Sequence, residues 1–423
     1  MLLRKFFCKV LNKYVSNQDV HSSISKRLVS FSPQTCVLGI ETSCDDTGCA
    51  VVNADGIILG EAICSQTKLH VKFGGINPII ARDLHKDNID RLVNEALGCA
   101  NKGVDDIDAI AVTVKPGLLV SLEVGVKYAK YLSRKYNKPL IPIHHMEAHA
   151  LVARMFYKIK FPFLSLLISG GHCLLVVVKD IDDFLLLGTT VDNSPGEVLD
   201  KVARRMKLKN IKELSKLSGG GAIEEAAKTA CGTDIFPFPV PLVRDRDCNF
   251  SFSGLNEAFL KHLAAKELEH QIAGDEIIPE YKDLSAAFQT AVTEHILHRT
   301  ERAILFCQKN NFLNDGSNIV VSGGVACNNF IFNSIEKLGK KYNYTVYRPP
   351  PQYCTDNGVM IAWNGIEKIR NKCALNIPIE IDPNAPLGET HGVIRTWDSS
   401  LRRASVLSWG LSERLKTLAA MFE

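Results

Sequence analysis

The sequence lacks the features of several common protein classes. Its 13 cysteines are odd in number and include no C-x-x-C pair, which argues against a disulfide framework or a zinc ribbon. No apolar run approaches the roughly 18 residues that a membrane-spanning helix needs, so we expect no membrane segment. The cysteines are instead typical of small buried hydrophobic residues in a reducing compartment.

The chain also lacks a charge excess outside its first residues. The net charge is +4, but residues 1–34 hold six of the 50 Lys and Arg and only one of the 46 acidic residues. This segment mixes cations with Ser, Leu, Phe and Val and has no long apolar stretch of the kind found in secretory signals. It predicts a mitochondrial presequence and hence a matrix location, with a disordered basic tail as the alternative.

A three-strand pattern occurs twice in the remaining chain. The first copy reads as strands at 36–40, 49–52 and 57–63, and the second as strands at 163–168, 173–178 and 184–191. Ile40 and Ile168 occupy the same place in the two copies and lie 128 residues apart. The repetition predicts a duplicated α/β domain.

Further elements follow each copy of the pattern. Periodicity and turn residues predict helices at 88–100, 121–136 and 329–341, strands at 108–114, 318–321 and 345–348, and a mostly helical region at 196–300. We therefore expect a first lobe at 35–150, completed by 350–385, and a second lobe at 151–349 with a helical insertion at about 196–300. Residues 386–423 form a tail to which no structure is assigned.

Three polar loops follow predicted strands, at 41–48, 169–172 and 322–328. Paired glycines let backbone N–H groups approach a phosphate closely, although each loop alone is also compatible with a simple tight turn. Three such loops in two related halves indicate the actin, hexokinase and Hsp70 arrangement. In that α/β fold, two RNase H-like lobes enclose a nucleotide cleft.

His145 and His149 are four residues apart at the start of a helical pattern. This spacing puts two imidazoles on one helix face, where they can share a divalent metal, although ordinary exposed positions are the alternative. Asp356 precedes an apolar helix and is either an N-cap or a third metal ligand.

Two candidate ribose ligands lie in the helical region. Glu224 follows Gly219-Gly220-Gly221 by one turn and could accept hydrogen bonds from ribose hydroxyls, or could simply favour the helix dipole. Asp200 is a second candidate, and taken alone it reads as a surface residue.

Five ordered motifs resemble the tRNA threonylcarbamoyladenosine transferase family, once described as O-sialoglycoprotein endopeptidases. The similarity runs from about Val37 to Ala362, and with the presequence the chain looks like the mitochondrial branch of the family. The motifs are His145-Met-Glu-Ala-His149, Ser169-Gly-Gly-His172, Ser251-Phe-Ser-Gly-Leu255, Gly323-Gly-Val-Ala-Cys-Asn328 and Cys354-Thr-Asp-Asn-Gly358.

The resemblance implies an activity and a set of site residues. Members transfer a threonylcarbamoyl group from threonylcarbamoyl-AMP to the adenosine 3′ of the anticodon, in tRNAs reading codons that begin with A. The implied metal ligands are His145, His149 and Asp356, for one divalent ion, zinc or iron. The implied substrate residues are Leu167, Ile168, Ser169, Gly170, Gly171, Asp200, Gly220, Glu224, Cys327, Asn328 and Thr355.

The reaction also needs a proton acceptor and partners. Asp45 or Asp46 is the candidate to accept the proton of the adenosine amine, although their loop could serve only the phosphate side. We expect a separate synthase to supply threonylcarbamoyl-AMP and mitochondrial tRNA to be the acceptor. A monomer and a homodimer are both compatible with the sequence.

Three other functions are compatible with parts of the sequence. A zinc protease needs a glutamate directly after its first histidine, whereas Glu147 stands two residues on. A small-molecule kinase of the same superfamily would not ordinarily need a His-x-x-x-His metal site. A non-catalytic RNA-binding protein could use the basic residues of the helical region, which are Lys201, Arg204, Arg205, Lys207, Lys209, Lys212 and Lys216.

Overall fold

Two sheets with the same strand order form the framework of the protein. The computed structural model describes residues 31–73, 75–232, 236–314, 316–373 and 379–390. Most of the predicted presequence and most of the predicted tail therefore lie outside the described residues. The domain boundaries proposed above stay predictions.

The first sheet has the order β3-β2-β1-β4-β5. Its first three strands are antiparallel, whereas β4 and β5 join β1 in parallel. The strands are β1 (Cys36–Glu41), β2 (Asp46–Asn53), β3 (Ile58–Ser65), β4 (Ala109–Lys115) and β5 (Leu140–His144).

The second sheet repeats this plan with one added strand. Its order is β10-β9-β6-β7-β8-β11, in which β6, β7 and β8 are antiparallel and β9 and β10 run parallel to β6. The strands are β6 (Phe163–Ile168), β7 (Cys173–Val178), β8 (Phe184–Thr189), β9 (Asn318–Ser322), β10 (Thr345–Tyr347) and β11 (Glu389–Thr390). The prediction of a duplicated α/β unit is confirmed by the shared strand order.

Helices cover both sheets. They are α1 (Thr67–Lys72), α2 (Pro78–Cys99), α3 (Leu119–Tyr136), α4 (His145–Leu151), α5 (Ala153–Phe156), α6 (Pro195–Arg205), α7 (Gly219–Ala227), α8 (Ser253–Glu269), α9 (Tyr281–Lys309), α10 (Asn329–Lys341) and α11 (Gly358–Arg370). Within the described parts of the chain, none of them is both long and apolar enough to cross a bilayer.

Helix α11 joins the first sheet although it comes from the far end of the chain. Its buried side chains, among them Met360, pack against Val37 and Ala111 on one face of that sheet, while α2 and α3 cover the other face. The approach is close: a Cβ added at Gly39 would lie 2.3 Å from the carbonyl oxygen of Gly358. Only glycine at position 39 therefore lets the start of α11 lie on β1.

Helix α4 lies between the two sheets. Ala148 and the C-cap residue Val152 belong to the apolar cluster of the first sheet, whereas Met146 and Ala150 belong to a cluster of the second. Because residues four apart share a helix face, these pairs define two of its sides. His145 and His149 occupy the remaining side, at the line where the two lobes meet.

Two predicted element boundaries were wrong, and one helix extends past the end expected for its region. The long N-terminal helix begins at Pro78 and not at residue 88, because Asn77 caps it by accepting hydrogen bonds from Ile79 and Ile80. The first turn is shorter than 41–48, since β1 extends to Glu41 and β2 starts at Asp46. Helix α9 continues to Lys309, beyond the expected end of the helical insertion.

Candidate active site

The site is built around the junction of β5 and α4, where three histidines follow one another closely. His144 is the N-cap of α4, and its Nδ1 accepts a hydrogen bond from the Met146 amide at 3.2 Å. Burial lowers the pKa of His144 to about 3, so this imidazole is neutral and suited to accept. His144 therefore has a structural role, and the candidate metal ligands of this segment are His145 and His149.

His145, His149 and Asp356 come together as the sequence pattern predicts. Asp356 Oδ1 lies 3.1 Å from His149 Nε2 and 3.4 Å from His145 Nε2, and the candidate ligand atoms of the three residues all lie within 4.8 Å of one another. The capping alternative for Asp356 was wrong, because Asn357 caps α11 by accepting from the Met360 amide at 2.8 Å. Asp356 is thus free to face the histidines.

Glu41 is a functional candidate that the sequence reasoning missed. Its carboxylate is fully buried and accepts hydrogen bonds from His145 Nδ1 at 3.0 Å and from Thr113 Oγ1 at 2.6 Å. Because the carboxylate can only accept, it keeps the Nδ1 proton in place and directs His145 Nε2 toward Asp356. The available signal was a carboxylate ending a strand that is otherwise wholly apolar.

The charges of the group are strongly interdependent. Burial alone would lower the pKa of His145, but Asp356 and Glu41 together raise it well above its ordinary value. Burial would likewise raise the pKa of Asp356, but the charge of His145 and hydrogen bonds from both histidines hold it well below the usual range. For His149 burial prevails and lowers the pKa. At neutral pH the cluster thus carries a charged His145, a neutral His149 and two carboxylates.

The donor set suits a divalent transition metal. Two imidazoles and one carboxylate form an open three-ligand set of the kind used by zinc and by non-haem iron, and Asp356 keeps 24% of its side chain exposed toward a further ligand. Glu147 takes no part, because its carboxylate pairs with Lys368 at 3.0 Å. The geometry therefore disfavours the protease alternative and fits the predicted metal site.

A second group of possible ligands, Glu269, His270 and Glu280, lies on the surface. The Lys266 ammonium pairs with Glu269 at 2.8 Å and with Glu280 at 3.1 Å. A resident cation of this kind opposes a metal ion, so we assign no site there. His270 is a useful control for the buried histidines.

Asp45 and Asp46 lie close enough to the cluster to sense its charge. Burial, followed by the charge of Asp356, raises the pKa of Asp45. Burial also raises the pKa of Asp46 to about 7, and its Oδ1 is buried with no hydrogen-bond partner within the described residues. Of the two, Asp46 is better suited to exchange a proton near neutral pH.

The loop that carries these aspartates is held by His85. His85 Nε2 donates to the Cys44 carbonyl at 3.0 Å, and its Nδ1 accepts from Thr47 Oγ1 at 2.7 Å. Both ring nitrogens are thus engaged on either side of Asp45 and Asp46. Burial lowers the pKa of His85 and keeps it in the neutral form that this arrangement needs.

The Ser169 loop follows β6, whose last residues Leu167 and Ile168 are fully buried. Ser169 Oγ accepts from the amides of Gly171 at 3.3 Å and His172 at 3.0 Å, which closes the turn. Gly170 and Gly171 are exposed, and a Cβ at either would meet nothing within 4 Å. The space beside both glycines is therefore open, whereas the amides of Ser169 and Gly171 are engaged within the turn.

Gly196, at the start of α6, packs directly against the backbone of this loop. A Cβ there would come within 2.7 Å of the Ser169 carbonyl oxygen, and its amide donates to that oxygen at 3.2 Å. The Asp192 carboxylate accepts from Ser251 Oγ at 2.6 Å and from the Phe252 amide at 2.9 Å. The Ser-Phe-Ser-Gly motif thus anchors the segment on which the loop rests.

The candidate ribose ligands make contacts within the protein. Asp200 accepts hydrogen bonds from the amides of Gly219 and Gly220 at the start of α7. Glu224 Oε1 accepts from the Asn329 amide at 2.8 Å, which links α7 to α10. Both carboxylates therefore stand at helix starts, and a ribose would compete with these bonds.

The remaining candidates lie in the loops after β9 and before α11. Asn328 caps α10 and donates to Gln289 Oε1 at 2.9 Å, whereas Thr355 is exposed beside Asp356. A Cβ added at Gly324 would lie 3.8 Å from Thr355 Cγ2, so the two loops adjoin. Cys327 lies in the first of them and is half-buried.

The basic run of the helical region is only partly available to RNA. Arg205 forms two hydrogen bonds of 2.6 Å with Glu267, Lys201 pairs with Glu197 at 2.7 Å, and Lys207 donates to the Gly274 and Glu276 carbonyls. Lys209, Lys212 and Lys216 are exposed. Three of the seven cations, Lys201, Arg205 and Lys207, therefore make contacts within the insertion.

Solved structures support the predicted fold. HypF of T. kodakarensis aligns with a TM-score of 0.51 at 14% identity, over 81% of this chain and 48% of that chain. Such a likeness bears on the fold alone. Together with the duplicated sheets, it confirms the actin- and hexokinase-like fold with two lobes.

Sequence relatives cover most of the chain. The mitochondrial tRNA N6-adenosine threonylcarbamoyltransferase of Rattus norvegicus is 49% identical over 83% of this chain and 86% of its own length. The human mitochondrial protein of the same name is 48% identical over 86% and 89%. A protein from Anaplasma marginale, named tRNA N6-adenosine threonylcarbamoyltransferase, is 42% identical over 79% and 93%.

The family comparison agrees with these relatives. The family model described as "TsaD: tRNA N6-adenosine threonylcarbamoyltransferase" matches residues 57–363 of the chain. This range includes all three predicted metal ligands. The match extends over well more than half of the sequence. The chain therefore belongs to the tRNA N6-adenosine threonylcarbamoyltransferase family.

Proposed function

We propose that the protein transfers the threonylcarbamoyl group of threonylcarbamoyl-AMP to the N6 amine of the adenosine 3′ of the anticodon. The acceptors are mitochondrial tRNAs that read codons beginning with A. The observation that carries this proposal is the meeting of His145, His149 and Asp356 at the seam of two lobes, in a chain of this family. The names of the relatives support a mitochondrial location, and we extend it to the matrix.

His145, His149 and Asp356 would hold one divalent ion, zinc or iron. Such an ion supplies Lewis acidity toward the carbamoyl or phosphate oxygens and a fixed point for orienting the adenylate. Glu41 keeps His145 in the required tautomer through the 3.0 Å contact with Nδ1. The chain itself therefore contributes a prepared set of three ligands and a buried carboxylate behind it.

The transfer step needs a base, for which we propose Asp46. The adenosine nitrogen attacks the carbamoyl carbon, a C–N bond forms, and the bond from that carbon to the AMP oxygen breaks with its electrons leaving on AMP. The amine proton passes to the Asp46 carboxylate. Burial and the unpaired Oδ1 make this aspartate a better proton acceptor near pH 7 than an exposed one would be.

The adenylate would lie across the loops at the end of the second sheet where the parallel strands β6 and β9 finish. We assign its phosphate to the glycine loop of Ser169, Gly170 and Gly171 and its nucleoside to Asp200, Gly220 and Glu224. Asn328 and Thr355 would lie between the two. The exposed glycines and the adjoining Gly324 and Thr355 loops support this placement. The fixed N–H dipoles of such a loop can stabilise the charge of a phosphate.

The proposal also includes partners. A separate synthase would supply threonylcarbamoyl-AMP, and a second copy of the chain could cover the exposed apolar side chains around the start of α2. These include Phe73 at 58%, Ile76 at 43% and Ile79 at 52% exposure. Sedimentation of the wild type and of Ile79→Glu checks the homodimer, which the charged variant should dissociate.

The decisive experiment combines purified protein, threonylcarbamoyl-AMP and a mitochondrial tRNA that reads an A-starting codon, with nucleoside mass spectrometry as the readout. Wild type should form the modified adenosine with release of AMP, and His149→Ala should form at least about a hundredfold less. His270→Ala, which changes a surface histidine, should match wild type. Absence of product from the wild type would refute the activity, and equal product from His149→Ala would refute the metal site.

A further inference from the structure

Two cysteines lie together at the edge of the candidate site. Cys327 ends the short helical turn Gly324–Cys327 after β9, and Cys354 follows the turn Pro351–Tyr353 that leads to the metal loop. Their sulfurs face the same proline segment: Cys327 Sγ donates to the Pro351 carbonyl at 3.3 Å and Cys354 Sγ to the Pro349 carbonyl at 3.4 Å. Cys327 also packs against the apolar cluster that contains Cys354, and the two thiols are close enough to shift each other's pKa.

The two thiols differ in access. Cys327 is half-buried, whereas Cys354 is fully buried at 0% exposure. A reagent from solvent can therefore reach Cys327 first, and Cys354 stands behind it. Such a difference in access is typical of a reactive thiol paired with a resolving thiol.

The surroundings of Cys327 favour its thiolate. The hydrogen bond from Cys354 and then the guanidinium of Arg348, which donates to the neighbouring Ala326 carbonyl at 2.9 Å, lower the pKa of Cys327 to about 7, against burial and the charge of Glu224. By contrast, burial raises the pKa of Cys49 and Cys173. The same contact and burial raise the pKa of Cys354, so Cys327 is the more readily ionised of the two thiols.

We propose that Cys327 and Cys354 form a peroxide-sensitive dithiol site that closes to a disulfide. The Cys327 thiolate attacks one oxygen of hydrogen peroxide, the O–O bond breaks, and a proton and the leaving hydroxide form water, which leaves Cys327 as a sulfenic acid. The Cys354 thiol then attacks the Cys327 sulfur, the S–O bond breaks, and a second water leaves. Two thiols are thus oxidised by two electrons and one peroxide is reduced to two waters.

Closure would tie together two loops that serve the proposed reaction. Cys327 precedes Asn328, and Cys354 precedes Thr355 and Asp356. A covalent bond at this point fixes the distance between the adenylate loop and the loop of a metal ligand, which must otherwise adjust to the substrate. This consequence for catalysis rests on the proposed function, whereas the dithiol chemistry does not.

The chemical test uses metal-loaded full-length protein and a low excess of hydrogen peroxide, followed by alkylation and peptide mass spectrometry. We expect a peptide pair linked through Cys327 and Cys354, and oxidation of Cys327 at least tenfold faster than that of the exposed Cys99 and Cys231. Reduction with dithiothreitol should remove the link. Oxidation of Cys99 and Cys231 at the same rate as Cys327, or no linked pair, would overturn the proposal.

Single variants separate the two steps. Cys354→Ser should leave Cys327 as a sulfenic acid that dimedone traps, whereas Cys327→Ser should give neither the link nor the trapped adduct at Cys354. Circular dichroism checks that each variant folds, and if Cys354→Ser does not, the Cys327→Ser result and the linked peptide of the wild type still decide. Dimedone labelling of Cys354 in Cys327→Ser would contradict the assigned order.

An activity measurement then tests the consequence. After peroxide treatment the transferase rate of wild type should fall severalfold and recover with dithiothreitol, while Cys327→Ser should keep its own untreated rate. A linked peptide without any change in rate would leave the dithiol site standing and overturn its effect on catalysis. An untreated wild type without transferase activity would count against the proposed function alone.

Discussion

The two sides of the candidate site differ in how far they are prepared for their ligands. On the metal side, His145, His149 and Glu41 are buried, and the imidazoles converge on Asp356 at 3.1 and 3.4 Å. On the adenylate side, Asp200 and Glu224 are engaged with backbone amides of the protein itself. On the metal side the groups converge on one point, whereas on the adenylate side the hydrogen bonds must be exchanged when a ligand binds.

This difference follows from the cost of leaving buried polar groups unpaired. The charged cluster is stable in the folded protein only because its members pair with one another, so its geometry is fixed before any ion binds. Carboxylates at the starts of helices can pair with amides at little cost and release them to a ribose. We therefore expect changes on the metal side to abolish function and changes on the adenylate side to weaken it.

The largest effect is expected from Asp356→Ala. Removing this carboxylate deletes one ligand and leaves His145 with a single buried counter-charge, so both metal content and transferase rate should fall. A loss of several kcal/mol of transition-state stabilisation lowers the transfer rate about a thousandfold. Metal analysis by mass spectrometry and the product assay measure the two effects, with Glu95→Ala on the exposed face of α2 as the control. Full metal content in Asp356→Ala would remove this residue from the ligand set.

A smaller effect is expected from Glu41→Gln, which keeps the size of the side chain and removes its charge. The amide of the glutamine can turn its nitrogen toward His145, and the side chain then no longer fixes the proton on Nδ1. The affinity for the metal should therefore fall about 10- to 100-fold. Competition with a chelator measures the affinity. Glu147→Gln is the matched control, since that glutamate lies on α4 but pairs with Lys368. Equal affinities of the two variants would contradict the positioning role of Glu41.

Metal binding should also release a proton. Asp356 and Glu41 raise the pKa of His145 well above its ordinary value despite burial, so the metal-free protein holds this imidazole protonated at neutral pH. An ion at Nε2 displaces that proton, and the apparent affinity should therefore rise up to tenfold per pH unit until the pH passes the raised pKa. Calorimetry in buffers of different ionisation enthalpy measures the number of protons released per metal ion bound, which we expect to be about one. The count should be lower in Glu41→Gln, and a count of zero in wild type would contradict the assigned charge state.

The smallest effect is expected from Glu224→Gln on the adenylate side. The amide oxygen can keep the hydrogen bond to the Asn329 amide, so the fold should persist, while the loss of charge weakens contacts with ribose hydroxyls by about 1 kcal/mol. KM for threonylcarbamoyl-AMP should rise severalfold with little change in kcat. Glu225→Gln, whose wild-type carboxylate pairs with Lys228, is the control. If both variants behave alike, Glu224 is not a substrate ligand.

The sequence by itself determined the elements and the histidine pair. Strand pattern and turn residues are local properties, so both meanders could be predicted within a few residues, and a spacing of four places His145 and His149 on one face of any helix. The duplication could be predicted because the same pattern recurs. The helix start at Pro78 was missed only because the local cap at Asn77 was not used.

Only the tertiary structure decided which distant residues complete the site. Asp356 reaches His149 from 207 positions along the chain because α11 packs on the first sheet, and glycine at position 39 permits that approach. Glu41, His85 and Cys354 gained their roles in the same way, through partners that no local spacing specifies. Hydrophobic packing brings such groups together, and their mutual pairing then makes the burial of their charges affordable.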